Sequence, residues 1–331
     1  MDGGARDGGD GHGPDLRGSP DLEARPVPPY SGPIDVGLTG ATGFIGARLL
    51  PLLLADPEVS RVRSVARRPL PPHPKLIHTR ADVADASARR ALAGVDVLLH
   101  LAFRMWREGS ANRLGPANLE GTANVLAARP GRVVFASSAT VYGAWPDNPL
   151  PLTEDAEPRP NPEVPYAAQK LEAERLCADA APAASLRIAA VVGPHADPRV
   201  RRAAAGYRLA VPAVPGATQA LQFLHEGDAA AALNAAARSA ATGVFNVATA
   251  DWMSEVDIAR VAGGRVVRLP LGFVLPASEV LARLRLLPFG ADRSIFLNGP
   301  IALDPGRAAA GLGWRPTRTS ADVLGDFVGR R

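Results

Sequence analysis

A chain of 331 residues, 47% of them apolar, can bury one large α/β core with or without a smaller lobe. Its one cysteine, Cys177, excludes a disulfide framework or a cysteine-built zinc site and fits a reducing cytoplasm; no apolar run marks a secretory leader or reaches the roughly 20 residues of a membrane span. The net charge of +4 rests almost wholly on arginine without a basic stripe of interleaved aromatics, which argues against a nucleic-acid partner.

Residues 1–31 are dominated by Gly, Asp, Arg and Pro without apolar periodicity and read as a disordered extension. Residues 34–50, IDVGLTGATGFIGARLL, follow. Ile34, Val36 and Leu38 alternate as a buried strand, Gly40, Gly43 and Gly46 come at three-residue spacing, and Ile45 and Leu49 begin a helical period. A strand, a glycine turn and a helix in that order open a dinucleotide-binding βαβ unit. The glycines let backbone approach a pyrophosphate, and the helix N-terminus offers N–H groups and a positive dipole end. Pro51 should kink or shorten that helix.

Further strands are expected at 62–66, 76–80, 95–101, 132–136 and 185–192, and a returning one at 243–248. Asp82-Val83 follows the third strand as an adenine-side contact. A polar loop at 104–116 leads into a helix carrying Asn118, Gly121, Thr122 and Asn124. Ser137 and Ser138 end the fifth strand, and a helix is expected at 166–179. The fold class is α/β: a Rossmann-type doubly wound parallel sheet over 32–193, with a smaller C-terminal substrate lobe from 194–242 and 249–331. Leu269–Phe289 comes nearest to a membrane span but is interrupted by Pro270, Pro276, Arg283, Arg285 and Pro288.

The chemistry concentrates late in the sheet. Tyr166 and Lys170, spaced i, i+4, share a helix face. A lysine cation favours the phenolate of a tyrosine, whose ordinary pKa is about 10, and so fits it for proton exchange with a substrate oxygen. Ser138 can hydrogen-bond the same oxygen. The chain uses lysine only at Lys75 and Lys170, which sets this one apart. At the second strand's end, where a carboxylate would bind the ribose of NAD, stand Ala66, Arg67 and Arg68. The arginines suit the 2′-phosphate of NADP, with NAD as the alternative.

TGATGFIG (39–46), HLA (100–102), NLEGT (118–122), SSATVYG (137–143), YAAQK (166–170), LRIAAVVGP (186–194), QFLHEGDAAAA (222–232) and LGWRP (312–316), in this order, resemble the extended short-chain dehydrogenase/reductase family, the NAD-dependent epimerase/dehydratase family. The resemblance implies a catalytic set of Ser138, Tyr166 and Lys170, supported by Asn118, with Lys170 also holding the nicotinamide ribose. It implies cofactor contacts from Gly40, Thr42, Gly43, Phe44, Ile45, Gly46, Arg67, Arg68, Asp82, Val83, Leu101 and Ala102. It further implies NADP or NAD as cofactor and a small-molecule substrate, and dimers through the helices after the fourth and fifth strands are common in that family.

Two departures bear on substrate. The acid/base carboxylate pair of the family's 4,6-dehydratases is replaced around Thr140 and Val141. The asparagine with which nucleotide-sugar enzymes contact a diphosphate is Ala190, though Arg199, Arg201 and Arg202 offer charge from a lobe loop. Net reduction of a ketone or aldehyde, or its reverse, is the leading expectation; a nucleotide-sugar 4-epimerase with bound NAD and a non-catalytic dinucleotide sensor are the alternatives. His225 with Asp228 reads as structural, Cys177 as a buried helix residue, and His73, His78 and His100 lack metal spacing. Trp106 and Trp145 are placed near the site mouth, as pocket lining or as a plug between lobes.

Overall fold

The computed structural model describes residues 32–105, 114–284, 286–287 and 289–329. The expected extension at 1–31 and Trp106 lie outside them. Seven parallel strands form the main sheet: β1 (Ile34–Thr39), β2 (Val59–Ala66), β3 (Leu76–Arg80), β4 (Val97–His100), β5 (Arg132–Ser138), β6 (Ala183–Ile188) and, after three short strands of the second lobe, β10 (Gly243–Val247). Their order, β3-β2-β1-β4-β5-β6-β10, is doubly wound. The chain builds outward from β1 to β3, returns to β4 on the other side of β1, and builds the other way. The C-terminal ends of β1 and β4 therefore diverge into a crevice.

Alternation along the strands feeds two cores. Val36, Leu38, Val97, Leu99 and Val134 face one side, against Leu49 and Leu53 of α1 (Gly46–Ala55) and the alanine face of α6 (Glu226–Arg238). Leu98, Val133 and Phe135 face the other, among α2 (Ala86–Ala91), α3 (Leu114–Leu126) and α4 (Pro165–Ala180). Cys177 of α4 is fully buried there, as expected.

Pro51 sits inside α1 with its ring exposed, and the helix ends four residues later, at Ala55. A proline on the solvent face gives up one intrahelical hydrogen bond without forcing its ring into the sheet. α3 starts at Leu114, within the loop expected at 104–116.

The strand expected at 185–192 is two strands. β6 ends at Ile188, and Ala189 N donates to Val247 O as β10 runs out beside it. The chain then leaves the main sheet, and β7 (Ala190–Val192) pairs with β9 (Phe223–His225). The continuous apolar run hides this break because both halves are strands. The second lobe adds β8 (Ala210–Ala213) paired with β11 (Arg265–Arg268), and α5 (Pro198–Gly206), α7 (Glu255–Ala262), α8 (Leu271–Arg283), α9 (Ala291–Ser294), α10 (Gly306–Leu312) and α11 (Ser320–Phe327). Val211, Phe223, Met253, Ile258 and Leu324 make its own core, while α10 packs on the main sheet's core. Phe273 and Val280 of α8 and Leu284 at its C-cap stand exposed, whereas Leu271 and Leu275 turn inward toward Tyr166.

Candidate active site

The glycine turn is built at contact distance. Gly40 has φ +74°, a region unfavourable to side chains, and a methyl group on it would lie 2.9 Å from Ala102 N. Gly43 N donates to Gly40 O at 2.8 Å, and a methyl group on Gly46 would lie 2.1 Å from the same oxygen. Turn and helix thus nest with no room for a side chain. Ile45, the N-cap of α1, gives no side-chain cap, and the first turn holds no carboxylate. Thr42, Phe44 and Ile45 therefore present uncapped backbone at a positive helix end, which fits a dinucleotide's diphosphate in charge and geometry. Arg68 donates to Thr42 O across the mouth, and exposed Arg67 accepts at its carbonyl from Arg80 Nε at 3.0 Å. Asp82 pairs with Arg104 at 3.1 Å, and Val83 packs so closely on Gly121 that a methyl group there would lie 2.6 Å from its side chain.

His100 ties the crevice together. Thr39 Oγ1 accepts from Leu101 N and Ala102 N, both at 3.1 Å, so its own proton goes to His100 Nδ1 at 2.7 Å. Thr122 Oγ1 donates to Asn118 O at 2.8 Å and accepts from His100 Nε2 at 2.9 Å. The ring is thereby a neutral Nε2–H tautomer with both nitrogens satisfied. Burial, and next the Lys170 charge, push its pKa down to about 3. Between pH 6.5 and about 3 the unfolded chain binds the proton that the folded one refuses, so stability falls with pH by up to about 1.4 kcal/mol per unit. Replacement by glutamine, which can donate and accept at similar places, is expected to remove about one proton from this slope. Denaturant midpoints measured from pH 7 to pH 4 on wild type and H100Q check it, and equal slopes would count against it.

The chemistry-bearing residues converge beyond β5. Ser138 ends the strand and caps the short turn Ala139–Tyr142, its Oγ accepting from Thr140 N and Thr140 Oγ1 at 3.3 and 3.0 Å. Tyr166 stands in the first turn of α4, and Ser138 is close enough to bear on its phenol. Burial pushes its phenol up to about 12, against the pull of the Arg293 charge and of Ser138. Lys170, one turn on, is 3% exposed and donates to Ala136 O at 2.6 Å. Burial draws its ammonium down to about 7, with Cys177 and Glu174 acting the other way. Asn118 of α3 clamps both backbone groups of Arg104, at 2.8 and 3.1 Å, and donates to Gln169 of α4 at 2.8 Å.

A second cation joins the expected one. Arg293 of α9 pulls the Tyr166 phenol down by its charge, while Lys170, its Nζ 5.6 Å from the tyrosine ring centroid, turns one N–H to Ala136 O. Arg293 sits in an irregular segment with no pattern to mark it. Glu174 is spaced i, i+4 from Lys170 and carried a readable signal; Phe103, next to HLA, was adjacent to one. Trp145 donates to Arg159 O at 2.6 Å, and its backbone abuts Gly299, a joint with the second lobe. His225 caps α6 by accepting from Gly227 N at 3.1 Å, and Asp228 accepts from Thr317 at 2.7 Å; both bonds are structural.

Residues 36–248 match the model of the NAD-dependent epimerase/dehydratase family. The chain belongs to this family. It is 28% identical over 314 residues to an uncharacterised protein of Mycobacterium tuberculosis, covering 88% of this chain and 82% of that one. Against the dTDP-glucose 4,6-dehydratase of Streptomyces griseus it is 32% identical over 158 residues, 42% of this chain and 47% of the relative. The solved structure of MoeE5 in complex with UDP-glucuronic acid and NAD superposes with a TM-score of 0.66 at 25% identity, over 89% of this chain and 99% of that one.

The protein is thus an extended short-chain dehydrogenase/reductase, an NAD(P)-dependent oxidoreductase/epimerase with a nicotinamide dinucleotide as cofactor. No helix among the described residues is long and apolar enough to cross a membrane. In this enzyme Thr140 bonds Ser138, and Val141 is fully buried among Tyr142, Leu152 and Leu303, so neither position holds a carboxylate toward substrate. Ala190 is exposed on β7. Arg199, Arg201 and Arg202 belong to α5 rather than to a loop, and Arg201 donates to Pro194 O at 3.1 Å.

Proposed function

We propose that this enzyme catalyses NADP(H)-dependent oxidoreduction of a carbinol or carbonyl carbon, running as a ketone or aldehyde reductase near neutral pH. The meeting of Tyr166, Ser138 and Lys170 at the end of β5 supports the oxidoreduction, and exposed Arg67 and Arg68 after β2, with Ala190 in place of a diphosphate-binding asparagine, favour NADPH-dependent reduction. Bound NADPH supplies the hydride. Tyr166 delivers the proton: a phenol held at about 12 is protonated at neutral pH, the form that reduction requires of an acid. Ser138, close to the phenol at the end of β5, directs the substrate oxygen to it. Lys170 holds the nicotinamide ribose, and Asn118 fixes the Phe103–Arg104 segment against α4. The uncapped N-terminus of α1 takes the diphosphate, flanked by Leu101 and Ala102. Arg67 and Arg68 meet the 2′-phosphate, while Asp82 and Val83 border the adenine. Residues 194–242 and 249–329 act as the substrate lobe.

A second reading, 4-epimerisation of a nucleotide sugar with retained NAD, is favoured by the likeness to MoeE5 with its UDP-glucuronic acid and NAD. The same residues would serve both directions of proton transfer. Cofactor analysis of the purified protein separates the two. Exchangeable NADPH, consumed in the presence of ketones or aldehydes, is expected. Retained NAD that cycles on a nucleotide sugar without net consumption would overturn the reductase reading and establish the second.

A further inference from the structure

Lys170 occupies an aromatic corner. One of its three N–H donors goes to Ala136 O, and its Nζ lies 3.9 Å from the Phe103 ring centroid and 4.5 Å from that of Phe135. Phe103 also meets Tyr166 edge-on, with centroids 5.7 Å apart and planes at 82°, and meets Phe135 at 6.1 Å and 64°. It therefore touches both the proton-transfer tyrosine and the lysine. Its place is fixed by the next residue, since Asn118 holds the Arg104 N–H and C=O and bonds Gln169 beside Lys170. Phe135 belongs to the sheet core and stacks on His100, so its bulk is structural in any case. Phe103 is only half-buried, at the end of the β4 loop. Any apolar side chain could plug that corner; only an aromatic one offers a buried ammonium a negative ring face.

We propose that Phe103 is a positioning residue for the reaction, its ring face seating the Lys170 ammonium and its contact with Tyr166 setting the distance between the two. The proposal concerns this chain's own side chains, and its first test needs neither substrate nor turnover. With two lysines in the chain, protein labelled with ¹³C-lysine gives two ε-methylene signals, and Lys75 serves as the internal control. The charged or titratable groups around Lys170 are Tyr166, Glu174 and Cys177 on α4 and His100 on β4, with Arg293 acting on Tyr166. All are left unchanged by the variants below.

Phe103→Leu and Phe103→Met keep an apolar side chain of comparable bulk and remove the ring face. The Lys170 titration midpoint is expected to fall by about one pH unit in both, with Lys75 unmoved, and to stay at the wild-type value in Phe103→Tyr. In turnover, the Leu and Met variants are expected to lose about 3- to 10-fold in kcat with little change in KM, and Tyr to restore the rate. Unshifted titration in the Leu and Met variants would overturn the proposal. So would an equal shift in Phe103→Tyr, which would make bulk or local packing the cause. Failure of the reductase reading would leave the titration result standing, so the two are separately testable.

Discussion

Phe in place of Tyr166 is expected to lower kcat by about 10²- to 10⁴-fold while leaving the fold and cofactor binding intact. The substitution deletes one oxygen from a half-buried ring whose packing against Phe103 and the Val164–Ala167 wall stays in place. What is lost is the hydroxyl to which the proposed reaction assigns the proton transfer. The pH dependence follows from the phenol's position at about 12. Reduction needs the protonated form and holds across neutral pH. Oxidation of an alcohol needs the phenolate, so its rate rises with pH throughout the range in which the protein is folded. Steady-state rates in both directions from pH 6 to pH 10, with cofactor affinity measured separately, check this. A Tyr166→Phe enzyme turning over at the wild-type rate would remove Tyr166 from the mechanism, whichever substrate the enzyme uses.

The second large effect is on stability, and it comes from beneath the site. Glu174 of α4 and Arg187 of β6 form a buried ion pair, Nε–Oε1 3.1 Å and Nη2–Oε2 2.8 Å, at 6% and 4% exposure. Ser137 donates to the same carboxylate at 2.5 Å, and the Arg187 guanidinium lies 4.7 Å from the Tyr142 ring. Arg187 Nη1 has no hydrogen-bond partner among the described residues, so the cation is already under-satisfied. Glu174→Leu would leave it buried with no counter-charge, at a cost of about 3–5 kcal/mol. Glu174→Leu combined with Arg187→Met should recover most of that loss, because an apolar pair of similar volume carries no desolvation penalty. Denaturant unfolding of the two variants and wild type tests this; a single variant within about 1 kcal/mol of wild type would show that water or a rearranged side chain already compensates Arg187.

Local signals carried much of this enzyme. The strand, glycine turn and helix at 34–55 were legible because each rests on short-range rules: alternation, tolerance of positive φ, and close backbone contact. The i, i+4 spacing of Tyr166 and Lys170 places them on one face without help from any tertiary contact, and a strand pattern likewise sets Ser138 at a strand end. The departures at Thr140, Val141 and Ala190 could likewise be read as side chains unable to supply a carboxylate or an amide. The break between β6 and β7 could not be read. An apolar run looks the same whether one sheet or two take it, and the decision lies with β10 and β9, distant segments that supply the partners. Arg293 was invisible for the same reason: its effect on Tyr166 depends on where the second lobe lays α9. The lysine's partners were also tertiary. Spacing put Lys170 beside Tyr166, but Ala136 O and the ring of Phe103, each from a different part of the chain, settled where its ammonium sits. Sequence alone therefore determined the identity and local placement of Ser138, Tyr166 and Lys170, because composition and local geometry are written residue by residue. Only the tertiary structure decided how burial and distant charges set their protonation, because desolvation and Coulomb interactions depend on distance through space, which sequence separation does not measure.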